Sequence, residues 1–426
     1  MAPLAVGIFV AAYILIATER VHRVVAALGG AALMLLLRIV DSEDAFHATE
    51  TGVDWEVIFL LLGMMLIVAV LRRTGLFEYL AIWSAKRARG RPYRIMVILC
   101  VVTAVASALL DNVTTVLLVA PVTVLIAERL GTSPVPYLIA EVLASNIGGT
   151  ATLVGDPPNI IIGSRAGLSY AEFLTNLGPI SLIILVVFLL VARMLFRRSL
   201  EADPDRVAEV MDLDEREAIS DPGLMVRSLV ILAVVTGAFL FHTVLQYDPS
   251  VIALAGGGLA VALSARPAGD LVRDVEWETL IFFAGLFIMV GALVEVGAID
   301  AVARAAADAT GGSPLVAAML ILVVSAILSG FVDNIPYVAA MAPVVAGLTA
   351  DLAGGSVLWW ALALGADLGG NATVVGASAN VVVVGIAGRA GHPIRFAEFF
   401  RYGAVVTAIS VAIAGAYLWL RYFVVA

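Results

Sequence analysis

Two polar pairs interrupt otherwise apolar sequence, Asp111-Asn112 and Asp333-Asn334, and they are the first candidates for chemistry. Each pair lies between two apolar arms that read as too short to span a membrane separately, so each is placed at the tip of a re-entrant hairpin. At such a tip, carbonyls and carboxylates can hold a cation, and helix N-termini can hold an anion. Sodium is a candidate at Asp111, Asn112, Asp333 and Asn334. Thr114 and Thr115 follow the first pair, where the second has Pro336 and Tyr337. The plainer reading is that Asp and Asn cap the second arm. Capping alone would accept Ser or Thr, and it does not call for a carboxylate in both places.

A second constellation comprises Asn146, Gly148, Gly149, Thr150, Thr152, Gly155, Asp156 and Asn159. Its partner comprises Asp367, Gly369, Gly370, Asn371, Thr373, Gly376, Ser378 and Asn380. Paired glycines let a helix unwind or let another backbone come close. Asp156-Pro157 reads as an N-cap with proline at the first helical position. Each stretch is therefore a helix with a polar break. Packing of helices through small residues explains the glycines, but not the Asn, Asp and Thr. Asp367 stands where the first constellation has Asn146, and Asp156 stands where the second has Ala377, so the two half-sites need not bind the same species. No arginine lies at either break, which counts against a multivalent anion such as citrate. Glu141, a turn before the first break, is a candidate proton carrier, although an interfacial position is the expectation for it.

The elements that hold these residues follow from composition. Of 426 residues, 62% are hydrophobic and 14% charged, with mean hydropathy +1.05. A soluble fold could not hide that surface, and long apolar runs such as 177–191 and 229–241 recur. A spanning helix needs about 20 mostly apolar residues and satisfies its own backbone. The alternation of a β-barrel is absent. The chain is thus read as an all-α polytopic membrane protein. A single cysteine, Cys100, excludes a disulfide framework or a cysteine-cluster metal site. His22, His47, His242 and His392 show no ligand spacing, and no basic stripe points to nucleic acid.

An internal repeat organises the whole. Asp54-Trp55-Glu56 returns as Glu276-Trp277-Glu278, and Gly75 returns as Gly297. Asp111, Asn112 and Pro121 return as Asp333, Asn334 and Pro343, all at an offset of 222 (333 − 111 = 222). Gly149 returns as Gly370, at 221. The expected units are a first repeat over 1–198, a charged cytoplasmic linker over 199–222 and a second repeat over 223–426. Each repeat is read as five crossings plus the hairpin: near 3–19, 22–38, 56–72, 138–163 and 178–197, then 223–245, 249–265, 278–295, 358–386 and 402–421. The hairpin arms fall near 94–110 and 113–128, and near 314–332 and 335–350. An odd number of crossings inverts the second half. Arg20, Arg23, Arg72, Arg73, Lys86, Arg87, Arg193, Arg266, Arg273, Arg389 and Arg401 then share one face, while Asp41, Glu43, Asp44 and Asp54 take the other. The positive-inside rule makes the basic face cytoplasmic and puts both termini outside the cytoplasm of a cell (inner) membrane. Inverted repeats with broken helices are an architecture of secondary transporters.

At these motifs the chain resembles the ArsB/NhaD branch of the ion-transporter superfamily, which holds arsenical permeases, sodium/proton antiporters and P-protein-like transporters. The resemblance rests on Leu110-Asp111-Asn112-Val113-Thr114-Thr115, on Ile139-Ala140-Glu141-Val142, on Asn146 through Thr152, on Gly155-Asp156-Pro157-Pro158-Asn159 and on Asp333-Asn334-Ile335-Pro336. It implies an elevator-type mechanism and a homodimer. The leading expectation is proton-coupled efflux of a small inorganic solute of the arsenite or antimonite type. With one cysteine, arsenite would bind as its neutral hydroxide, held by Asn, Thr and backbone groups. The alternatives are sodium/proton antiport, with H+ or Na+ as coupling ion, and transport of an anion such as chloride or a dicarboxylate. A passive channel is a further class. No Walker A, His-Glu-x-x-His or Gly-x-Ser-x-Gly motif points to an enzyme, and any soluble ATPase partner would be a separate chain.

Overall fold

The computed structural model describes residues 1–18, 20–48, 51–197, 211–212, 214–352 and 354–425. Among them every regular element is helical. The first half holds α1 (Ala2–Ala17), α2 (Arg23–Leu36), α3 (Ser42–His47), α4 (Trp55–Arg72), α5 (Leu76–Arg87), α6 (Pro92–Leu109), α7 (Asn112–Arg129), α8 (Val135–Gly149), α9 (Pro157–Ala166) and α10 (Tyr170–Leu195). The second holds α11 (Pro222–Leu240), α12 (His242–Leu245), α13 (Pro249–Leu263), α14 (Ala268–Val272), α15 (Trp277–Glu295), α16 (Ala298–Ala309), α17 (Pro314–Phe331), α18 (Asn334–Asp351), α19 (Val357–Gly369), α20 (Ser378–Arg389) and α21 (Phe396–Trp419).

Among the described residues, eight helices are long and apolar enough to cross a membrane. Their outward faces carry large apolar side chains, among them Leu182, Leu190 and Met194 on α10 and Val226, Val230 and Val234 on α11. Exposed apolar stripes on that scale belong against lipid. By contrast α4 and α15 sit at the centre, with most of their length buried.

Packing between the halves is reciprocal. α4 lies against α13, and its counterpart α15 lies against α2; α7 lies against α20, and α18 against α9. Within each half, α6 packs along α8 as α17 packs along α19. That last contact explains one glycine of each pair. A Cβ on Gly148 would stand 2.2 Å from the Ala104 carbonyl oxygen, and one on Gly369 would stand 2.5 Å from that of Ala326. Glycine here lets backbone lie on backbone.

Besides short turns of helix such as α3 and α14, two longer elements went unforeseen. α5 and α16 are twelve-residue helices where loops were expected. Each starts from a glycine in the left-handed region, Gly75 at φ +81 and Gly297 at φ +70, a conformation open to glycine at little cost. The hairpin arms also differ from expectation. Each is 18 residues long, about 27 Å at the helical rise, so the arms are not too short to span.

Of the expected linker, residues 199–210 and 213 lie outside the described residues. The remainder is seated on α5: Lys86 Nζ meets Glu215 Oε2 at 2.5 Å, the Ser220 N–H donates to the Thr74 carbonyl at 3.0 Å, and the Ser220 hydroxyl donates to the Arg73 carbonyl at 2.7 Å. The charge–charge hydrogen bond from Lys86 holds the Glu215 carboxyl below the usual carboxylate range.

Candidate functional site

The two hairpin tips and the two breaks meet in one buried polar core. Asp111 forms the N-cap of α7, accepting the Thr114 N–H at 2.7 Å and the Thr114 hydroxyl at 2.5 Å. Asp333 caps α18 by accepting the Ile335 N–H at 3.0 Å. The plain capping role is thus present for both aspartates. The asparagines beside them point inward instead. Asn112 donates to Asp156 Oδ2 at 2.8 Å and to Asn146 Oδ1 at 3.1 Å, while Asn334 donates to both Asp156 oxygens at 3.3 Å. Asp156 therefore joins the first break to both tips.

This corrects the reading of Asp156 as a helix cap. It occupies the N-cap position of α9 but makes no side-chain cap bond there; its oxygens are taken by amides from elsewhere. Pro157 at the first helical position does fit. Pro158 after it has no N–H either, while the Asn159 N–H goes to the Asp156 main-chain carbonyl at 3.0 Å, so no N–H is left for the side chain to cap.

Much of the rest of the constellation holds the breaks in shape. Asn159 donates to the carbonyls of Gly149 and Thr152, and Asn380 to those of Gly370 and Thr373. In this way each re-entering helix satisfies carbonyls left open where α8 or α19 ends. Thr152 and Thr373 tie the break loops to the carbonyls of Ala108 and Gly330, both at 2.6 Å, and Thr150 donates back to Asn146. Gly149 and Gly370 lie against the carbonyls of Gly155 and Gly376 across the break. Asn146 bridges the halves, donating to Asn371 at 2.9 Å and Asn380 at 3.1 Å.

Several groups remain with bonding capacity. Both oxygens of Asp367, the Asn112 and Asn159 side-chain carbonyls and the Thr115 hydroxyl are buried without a hydrogen-bond partner. Asp367 is 0% exposed. Its neighbours Thr150 and Asn159 aim their donors at backbone carbonyls. Asp367, Asp333 and Asp111 lie within electrostatic reach of Asp156. No group of three or more His, Cys, Asp or Glu at metal-ligand spacing occurs among the described residues. A sodium ion here would draw on amide and backbone oxygens as well.

Beside the second tip opens a cavity of about 670 Å³, bordered by α1, α2, α7, α15, α18 and α20. Arg23 of α2 reaches into it, donating to the Ser378 hydroxyl at 2.8 Å and the Thr279 hydroxyl at 3.3 Å and stacking on Phe282. Ser378 in turn donates to Asp333 Oδ2 at 2.5 Å. An arginine does serve the second break, then, supplied from a helix 355 residues away in sequence. No spacing could have revealed it, and its place in the other half, the first residue of α13, is taken by Pro249. A smaller cavity of about 220 Å³ lies beside α9, lined by Glu56, Glu172, His242 and Asp248. Glu141 is also placed otherwise than expected: it is 2% exposed, inside the packed core.

Broken helices, two hairpins and a buried acidic core joining two similar halves define a polytopic membrane transporter. The solved transporter YdaH of Alcanivorax borkumensis has this fold, at TM-score 0.60 and 15% identity over 93% of this chain and 96% of that one. Residues 13–365 match the citrate transporter family, CitMHS, and the chain belongs to that family. Over its full length it is 57% identical to an uncharacterized transporter of Mycobacterium tuberculosis, covering 99% of that protein. It is also 34% identical to the human P protein, with 99% of this chain aligned to 60% of that one. It is a secondary transporter of this type, and a multi-pass membrane protein rather than an enzyme.

Proposed function

We propose that Asp156 and Asp367 carry the coupling cation, H+ or Na+, and that the transported solute is a small carboxylate-bearing anion bound beside Arg23. The observation that carries this reading is the Asp367 carboxylate, buried with no donor to either oxygen. A bare ionised carboxylate in such a place is very costly, so it takes up a proton or a cation. The family description, citrate transporter, supports an anion as solute, and Arg23 supplies the positive charge. The expected arsenite reading loses ground, because Thr150, Thr152, Asn159, Thr373 and Asn380 already donate to backbone carbonyls. Few donors are left for a neutral hydroxide.

The reciprocal packing and the arginine asymmetry support inverted repeats, with the basic face cytoplasmic and both termini outside. The larger cavity lies next to His22, Arg23 and Glu276, at that basic face. It supports an inward-facing state of an elevator-type cycle.

The test is flux in liposomes with imposed proton or sodium gradients, using citrate, arsenite and chloride as solutes. Citrate should accumulate only under a gradient, and Asp367→Asn should abolish the accumulation. Arg23→Gln should raise the citrate KM about tenfold or more, in line with about 1.5–3 kcal/mol for a charged hydrogen bond. Arsenite accumulating in place of citrate would overturn the anion reading. Chloride flux indifferent to any gradient would point to a channel, and sodium-for-proton exchange without citrate uptake would point to an antiporter.

A further inference from the structure

We propose that Glu141 is a second proton-binding site, distinct from the carboxylates at the breaks and present in the first half alone. It lies on α8 five residues before Asn146, roughly 7.5 Å along the helix axis. The Thr123 hydroxyl of α7 donates to Oε1 at 2.7 Å, while Oε2 is buried with no partner. Cys100 of α6, itself 0% exposed, lies within electrostatic reach.

The internal repeat shows that the fold does not need this arrangement. At the corresponding positions the second half has Leu362 for Glu141, Val345 for Thr123 and Leu322 for Cys100. All three are buried and apolar. Two similar helix sets thus pack equally well around a hydrocarbon trio, and the first half has exchanged the whole trio for a carboxyl, a hydroxyl and a thiol. Paired hydroxyl and carboxyl alone would make a strut between α7 and α8. A strut would not require an acid, since an amide would accept the same bond.

One neutral donor does not stabilise a buried carboxylate, so the group rests as the acid with its proton on Oε2. The step is a proton transfer only. The O–H bond forms with a proton from water at one face and breaks to release it to water at the other. The other ionisable groups facing α8 are set at its ends or at the break. Tyr137 is a turn earlier on α8; Arg94 begins α6; Glu128 and Arg129 end α7; Arg193 and Arg389 lie in the last turns of α10 and α20; Glu398 and Arg401 begin α21; and Asp111, Asp156 and Asp367 gather at the break. None of them bonds to Glu141 in place of Thr123.

This proposal rests on the cation-coupled reading above, and the experiment separates the two. Protein reconstituted in lipid is titrated while infrared difference spectra follow the carbonyl stretch of protonated carboxyl groups. Uptake of citrate driven by a pH gradient is measured on the same samples. Glu141→Gln should lose one titrating band and the pH dependence of uptake, while Asp367→Asn keeps that band. Thr123→Val should move its midpoint. The triple variant Glu141→Leu, Thr123→Val, Cys100→Leu, copying the second half, should melt like the wild type and serves as the control for folding. A full set of titrating bands and an unchanged pH profile in Glu141→Gln would reduce Glu141 to a strut and overturn the proposal. If wild-type uptake ignores the pH gradient but the Glu141 band still titrates, the coupling reading fails while the proton site stands.

Discussion

Asp156 and Asp367 are both buried acids, yet their surroundings differ in a way that separates stability from transport. Asp156 accepts amide protons from Asn112 and Asn334. In Asp156→Asn one oxygen becomes an NH2, so Asn112 and Asn334 must share the single remaining acceptor while the new amide hydrogens face a donor. Removing one partner from a buried bond costs about 1–3 kcal/mol, so thermal unfolding in detergent should show a loss of that size along with lost transport. Asp367 has no donor at hydrogen-bond geometry, although Asn159 and Thr150 lie close enough to act on it, so Asp367→Asn gives up less than Asp156→Asn does. It should lose less stability than Asp156→Asn, while coupled uptake disappears. An equal loss of stability in both variants would refute the distinction. The repeat made both acids visible in sequence, because Asn146 and Ala377 break the symmetry opposite them. Their partners were not visible. Which amide reaches which carboxylate depends on how the tips and breaks converge, and Arg23 joins them from a helix with no motif of its own.

At the scale of elements, a Gly-Gly pair in sequence could mean unwinding or close approach, and the structure uses both. Gly148 and Gly369 bring α6 and α17 onto the broken helices, whereas the following glycines face the break itself. Gly148→Ala should therefore cost about 1–3 kcal/mol through overpacking, because its Cβ would meet backbone that cannot rotate away. Gly258→Ala on α13, with open space around it, should be neutral or slightly stabilising. Melting both variants tests whether the cost is contact or helix propensity. The broken helices were legible because polar side chains at membrane depth are costly unless a break or a ligand engages them. α5 and α16 were not, since their polar faces read as loop. The seat of the linker on α5 was also hidden. It depends on the pair between Lys86 and Glu215, whose carboxyl titrates below its ordinary range. A depressed carboxyl contributes above its unfolded pKa and loses its contribution as pH falls through the folded value. Exchange of the Ser220 amide, corrected for intrinsic rate, should accordingly accelerate in acid and in high salt, and Lys86→Gln should remove both effects.

At the scale of the molecule, the halves repeat but their cavities do not. About 670 Å³ opens beside the second tip and about 220 Å³ beside the first break. If a two-fold repeat supplies both states of an alternating-access cycle, one cavity should shrink as the other grows. Cys100 is fully buried, so single reporter cysteines can be added without removing it. Val381→Cys lines the large cavity and Ser164→Cys the small one. With a membrane-impermeant maleimide, Val381→Cys should react from the face that carries Arg20, Arg266 and Arg273, and Ser164→Cys from the opposite face. Citrate with a proton gradient should slow the first reaction and speed the second. Reaction of both positions from one face would contradict inverted repeats. Unchanged rates with solute present would mean that the unequal cavities are a fixed property of the fold. A change of both rates in the same direction would indicate general loosening. Opposite changes alone report exchange between two faces, the motion that a secondary transporter built from two such halves requires.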